Sequence, residues 1–266
     1  MIPTRTIGMI AAMKEEIEPL LRLAGPCRQE VIEGFRLYHF TAGTRPVCLI
    51  RSGMGPAHAA TATRILLDTV HPELVISFGF AGGLTPELKT GDLIVANRLL
   101  FLHDRLFSEQ QGLAVETARE CSEMLATQAS RRVHLGALIT TARITGKGEL
   151  AKRLPAGITT AAVEMETAAV ARMAVKDKVP VLAIRAISDG LDDELGFSLE
   201  EFCDRELNLK LWRVLLTVVR KPWIIPQLLR LAKNTEKAGM TLAEAVQGFL
   251  KGKGADYCLG LPPAEE

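Results

Sequence analysis

A chain of 266 residues with 48% hydrophobic and 24% charged residues has the composition of a soluble globular protein with a sizeable core. Its formal net charge of +1 provides no global field that would draw it to nucleic acid, and no nucleic-acid partner is expected. The five cysteines (Cys27, Cys48, Cys121, Cys203, Cys258) contain no C-x-x-C and the five histidines show no ligand spacing, so a cytoplasmic protein with reduced thiols, no metal and no cofactor is expected.

The N-terminus lacks a charged segment followed by an apolar one, and no run approaches the roughly 18 apolar residues of a membrane span, so neither secretion nor a spanning helix is expected. Thr6 to Ala12 is an apolar run suited to a central strand. After Met13-Lys14-Glu15-Glu16, the residues Ile17, Leu20, Leu21 and Ala24 recur at helical spacing until Gly25-Pro26. Glu15 and Glu16 therefore fall in a first helical turn at a strand's carboxyl end. There an acid either answers the helix dipole or serves as a general base.

Val31–Phe40 and Val47–Ile50 are β-type runs separated by short turns, which predicts antiparallel pairing and a mixed sheet. Ser52-Gly53-Met54-Gly55-Pro56 then opens an Ala- and Thr-rich helix, and the free N–H groups of this loop could hold an anion or a sugar hydroxyl. Leu74–Phe78 is a buried strand ending in Gly79-Phe80-Ala81-Gly82-Gly83-Leu84, a Gly-rich turn at the functional edge of a sheet. A strand over Leu93–Asn97 follows, and residues 99–111 read as a loop or lid. Next come a helix from about Leu113 to Gln128, a strand Val133–Thr140 and a short helix around Gly148–Leu154.

Val163 to Asp189 carries the densest signal. Ala168, Ala169, Val170, Ala171 and Met173 form a small-residue helix face, Pro180 follows the helix, and Val181–Ile187 is apolar on both faces except for Arg185. Ligands of α/β sheets bind outside the carboxyl ends of strands, so Arg185, Ser188 and Asp189 stand where chemistry is expected, with Glu164 and Glu166 just before the helix. The alternative is a buried Arg–Glu pair with Asp189 capping the next helix. Ser198 reads as an N-cap, and between Arg205 and Lys233 basic residues interleave with Trp212, Trp223, Ile224, Ile225, Leu228 and Leu229, an amphipathic basic helix pair broken at Pro222. Such a tail either covers the sheet or faces lipid.

Five motifs in this order, I-G-M-I-A-A-M-K-E-E (Ile7–Glu16), S-G-M-G (Ser52–Gly55), G-F-A-G-G-L (Gly79–Leu84), V-E-M-E (Val163–Glu166) and R-A-I-S-D (Arg185–Asp189), resemble the nucleoside phosphorylase and nucleosidase superfamily. Within it the chain is most similar to methylthioadenosine/S-adenosylhomocysteine nucleosidases and to hopanoid-associated phosphorylases. The resemblance implies an α/β fold, a three-layer α/β/α sandwich with a twisted mixed central sheet. It places this domain at residues 1–220, with a C-terminal helical extension, 221–266, packing on it, and it implies a homodimer.

By position, the resemblance makes Glu16 the base that activates water, Asp189 the acid that protonates purine N7, and Arg185 a group lining the nucleophile's side. Glu166 would grip the ribose hydroxyls with Met165 beneath the sugar, and Met13, Phe80, Ala81, Gly82, Ser188 and Leu199 would line the substrate. Glu164 is expected to be a structural partner. The chain departs from the pattern at Phe80, where nucleosidases commonly have Ser, at Leu199, where they have an aromatic, and at Thr141-Ala142-Arg143-Ile144 in the purine-contacting loop.

The expected function is cleavage of the N-glycosidic bond of a purine (adenine) nucleoside, with water as nucleophile because a phosphate beside Glu16 would be repelled. Arg185 and Lys14 could offset that repulsion, so a phosphorolytic enzyme, acting even on a hopanoid-linked adenosyl lipid, is the alternative. A non-catalytic nucleoside-binding protein is the alternative from another class. The basic apolar tail adds a possible peripheral membrane contact.

Overall fold

The computed structural model describes residues 6–128, 132–193 and 225–252. Leu199 and the basic stretch up to Ile224 lie outside the described residues. Among the described residues ten strands form one mixed sheet: β1 (Ile7–Ala11), β2 (Arg28–Ile32), β3 (Phe35–Ala42), β4 (Arg45–Arg51), β5 (Leu74–Gly83), β6 (Leu93–His103), β7 (Leu106–Glu109), β8 (Val133–Thr141), β9 (Ala161–Glu164) and β10 (Val181–Asp189). Among the described residues six helices accompany it: α1 (Lys14–Ala24), α2 (Pro56–Val70), α3 (Val115–Gln128), α4 (Lys147–Ala151), α5 (Thr167–Lys176) and α6 (Ile225–Lys251).

Strand alternation sorts the core into two layers. Ile7, Met9, Ile76, Phe78, Leu182 and Ile184 face α1, α3 and α6, whereas Ile10, Val75, Val181 and Ala183 face α2 and α5. This is the expected helix–sheet–helix arrangement. The sheet is also partly closed: β10 bonds both β5 and β6, and β9 bonds both β5 and β8, so five strands form a ring. β1 runs parallel to β4 and β5, and β10 parallel to β5. The carboxyl ends of these four strands therefore share one edge.

Two expectations change. Residues 99–111 are not a loop: β6 continues to His103 and pairs antiparallel with β7, turning at Asp104 and Arg105, whose φ values are 43° and 76°. Leu99 and Leu100 are buried there, in a short apolar run, Leu99–Leu102, bounded by Arg98 and His103. Helix α6 begins in the segment read for its basic and aromatic content, yet from Ala238 onward it belongs to the core, with Leu242, Val246 and Phe249 fully buried. Its first turns keep apolar side chains in solvent, with Leu229 67% exposed, and Met240 further along is 41% exposed.

Candidate active site

The strand-to-helix corner between β1 and α1 folds Glu16 back over its own N-terminus. Its Oε2 accepts the N–H groups of Ala12 and Met13 at 2.8 and 2.7 Å, the reciprocal half of a capping box, and its Oε1 accepts the N–H of Phe80 at 2.8 Å. The carboxylate passes through the space a side chain at position 79 would fill, since a Cβ on Gly79 would stand 2.5 Å from Oε1. Burial pushes the Glu16 carboxyl above the usual range, outweighing the three N–H donors and Arg185. A raised carboxyl suits a general base.

Arg185 is 2% exposed on β10. One of its terminal nitrogens donates to Glu164 at 2.8 Å, to Thr167 Oγ1 at 2.7 Å and to Ser77 Oγ at 2.9 Å, and the other to the Ile184 carbonyl at 3.1 Å. Its buried Nε has no protein partner. Glu164, the last residue of β9, also accepts the Thr140 hydroxyl and the N–H groups of Glu166 and Thr167. Burial pushes the Glu164 carboxyl up, but Arg185 and these donors prevail and hold it below the ordinary range. The buried Arg–Glu pair weighed from the sequence is therefore present, and it coexists with the rest of the site.

Glu166 is the N-cap of α5, and it takes the N–H of Gly55 at 2.8 Å and that of Met165 at 3.2 Å. Burial first, and then the neighbouring Glu164 charge, raise it to about 8. The loop Ser52–Gly55 was expected to offer free N–H groups. Instead Ser52 and Gly53 donate to the carbonyls of Ala11 and Ala12 while Gly55 serves Glu166, so these N–H groups are engaged and the loop orients a carboxylate. A cavity of about 10 Å³, the room one water needs, lies between Glu16, Ser77, Arg185, Ser52 and Glu166.

The second half of the site is at the end of β10, where a register shift between Ile187 and Asp189 breaks the ladder with β5. Asp189 accepts the Ser188 hydroxyl on Oδ1 at 2.6 Å and the Lys147 ammonium on Oδ2. Ser188 Oγ also lies 3.4 Å from the Ala81 carbonyl, and Gly82 leaves room for the Lys147 stem. A further hollow of about 50 Å³ runs from Asp189 to Gln227 and Arg230 of α6.

Of the residues singled out from sequence, Glu16, Glu166 and Arg185 line the small cavity, Met13 and Phe80 reach it through their N–H bonds to Glu16, and Ala81, Gly82, Ser188 and Asp189 lie at the other half. The Phe80 ring turns toward Gly239 of α6, so Phe80 contributes its backbone to Glu16. Lys14 does not reach the site: it pairs with Glu18 at 3.1 Å on the exposed face of α1. Ser77, Thr140, Thr167 and Lys147 were not anticipated. Ser77 alone carried a signal, as the one polar residue in an apolar run.

The family model described as Phosphorylase superfamily matches residues 6–220. A 5'-methylthioadenosine/S-adenosylhomocysteine nucleosidase of Listeria welshimeri is 33% identical over 215 residues, covering 74% of this chain and 91% of that protein. One from Actinobacillus succinogenes is 32% identical over 209 residues, covering 74% and 90%. Among solved structures, the 5'-methylthioadenosine/S-adenosylhomocysteine nucleosidase of Helicobacter pylori in complex with a pyrrolidine inhibitor superposes with a TM-score of 0.70 at 21% identity, covering 91% of this chain and 96% of that one. The futalosine hydrolase of the same organism gives 0.70 at 21%, covering 92% and 97%.

Proposed function

The chain belongs to the phosphorylase superfamily, and from that premise we propose that it hydrolyses the N-glycosidic bond of a purine nucleoside in the manner of methylthioadenosine/S-adenosylhomocysteine nucleosidases. Loss of a base from C1′ builds an oxocarbenium-like sugar, which needs an acid for the leaving group, negative charge near the ring and an oriented nucleophile. The observation that carries the hydrolytic reading is the cavity between Glu16, Ser77 and Arg185. It has room for one water beside the Glu16 carboxyl. The two cations that could have offset a phosphate are engaged, Arg185 by Glu164 and Lys14 by Glu18.

In this assignment Glu16 takes the water's proton, Glu166 holds the ribose hydroxyls above Met165, and Asp189 with Ser188 faces purine N7. Met13, Ala81 and Gly82 line the substrate, and Phe80 contributes its backbone N–H to Glu16. General acid and general base are each worth typically 10²–10⁴-fold. The test is adenine release from methylthioadenosine with and without phosphate: equal rates support hydrolysis, and a rate that needs phosphate overturns it in favour of phosphorolysis. Binding without base release under either condition would identify a nucleoside-binding protein.

The proposal extends to a cytoplasmic homodimer, in keeping with the reduced thiols of Cys27 and Cys48, with residues 1–220 as the nucleosidase domain and 221–266 packing on it. It also includes peripheral contact with anionic lipid through the first turns of α6, where exposed Leu229 lies beside Arg230 and Lys233. No helix among the described residues is long and apolar enough to cross a membrane. Flotation with phosphatidylserine vesicles at low salt checks the contact, and absence of binding removes it.

A further inference from the structure

An acid that gives a proton to a leaving base must carry one, and both oxygens of Asp189 are occupied as acceptors: Oδ1 by the Ser188 hydroxyl and Oδ2 by the Lys147 ammonium. Asp189 is arranged as a carboxylate, so its proton has to arrive from a neighbour. Lys147 is the one with protons to give. Its side chain is 11% exposed, and its Nζ lies against Asp189 Oδ2, the Gly190 carbonyl and, at 3.4 Å, the Asp193 carbonyl. The approach is built into the fold: Gly146 caps α4 so that Lys147 opens the helix, and Gly82 has no side chain to block the stem, since a Cβ there would stand 3.0 Å from Lys147 Cδ. The charged groups around it are Asp189 and Asp193 from the end of β10 and, through Asp193, Arg230 of α6 at 3.9 Å.

Resting on the nucleosidase reading, we propose that Lys147 is the source of the proton that Asp189 passes to the departing purine. As the C1′–N9 bond breaks, its electron pair moves onto the base. N7, an acceptor, takes a proton from Asp189 as Asp189 takes one from Lys147 Nζ, which is left as a neutral amine. The attacking water bonds to C1′ and gives its proton to Glu16. After the products leave, Lys147 regains a proton and Glu16 loses one, so the cycle consumes only the nucleoside and water. Lysine can hand over this proton whereas arginine, always protonated, cannot.

The discriminating substrates are a purine nucleoside and its N7-methylated counterpart, whose base already carries the positive charge that protonation would supply. Wild type should release base from both. Lys147→Met, Lys147→Arg and Asp189→Asn should each lose at least about 10²-fold in kcat on the unmethylated nucleoside and less than about tenfold on the methylated one. Full turnover of Lys147→Arg on the unmethylated nucleoside would show that only the charge matters and overturn the proposal. Equal losses of Lys147→Met on both substrates would reduce Lys147 to a brace for the Gly190–Asp193 turn, which also overturns it. If wild type releases base from neither nucleoside, the nucleosidase reading fails and this proposal falls with it. If wild type cleaves both and Asp189→Asn alone shows the contrast, only the role of Lys147 fails.

Discussion

Arg185 donates to Glu164 at 2.8 Å, and both side chains are almost completely buried. Glu16 and Glu166 are thereby left without a counter-ion of their own, and both are pushed above the ordinary carboxylate range, Glu166 to about 8. One fixed ion pair thus divides three neighbouring carboxylates into a structural anion and two groups able to change protonation, which the chemistry requires.

Removing half of that pair should be costly. Arg185→Met leaves Glu164 buried and unpaired and is expected to destabilise the protein by about 3–5 kcal/mol in urea unfolding. Adding Glu164→Gln should recover part of the loss, because the uncompensated charge disappears with it. A single variant as stable as wild type would mean that the pair contributes nothing to the fold.

Glu166 should make stability depend on pH. Its carboxyl is raised to about 8 in the folded state from 4.5, so between these values the folded protein holds a proton that the unfolded chain releases. Stability contributed by this group is present in acid and is lost as pH rises toward 8. Glu166→Gln removes the titration, and its Tm should fall less than that of wild type between pH 5 and pH 8, by at least about 3 °C, the shift roughly 1 kcal/mol makes in a chain of this size. The same variant should weaken preference for ribose over 2′-deoxyribose above pH 8, where the Glu166 carboxylate carries its charge and the neutral amide cannot supply the charge-assisted bond to the sugar hydroxyls. Parallel melting curves together with unchanged sugar selection would make Glu166 an inert cap of α5.

Gly79→Ala tests the seat of Glu16. The added methyl would stand 2.5 Å from Oε1 and 2.9 Å from Cδ, so the carboxylate must leave its three N–H donors. Turnover should drop by at least about 10²-fold, the low end for losing a general base, while circular dichroism remains native. Near-native turnover would mean that Glu16 acts from another position or not at all.

Much of this site was legible in the sequence because its chemistry is local. Glu16 sits at a strand-to-helix corner three residues past its N-cap, and Arg185, Ser188 and Asp189 follow one another along a single strand end. Contacts made across the fold were not legible. Lys147 meets Asp189 over 42 residues of sequence, and Thr140 meets Glu164 over 24. No periodicity encodes such a pairing. The core half of α6 did carry a signal, with Ala238, Leu242, Ala245, Val246 and Phe249 recurring on one helical face, but the aromatic and basic residues before Lys233 dominate the composition of that region. The ring closure through β9 and β10 rests on short pairings, only two residue pairs between β5 and β9, which no strand pattern announces.

The central claim, water as the nucleophile at C1′, is tested most directly by running the reaction in ¹⁸O-labelled water with millimolar phosphate also present and weighing the sugar product. The account predicts free sugar carrying one ¹⁸O and a rate indifferent to phosphate. A sugar 1-phosphate whose C1 oxygen is unlabelled would contradict it.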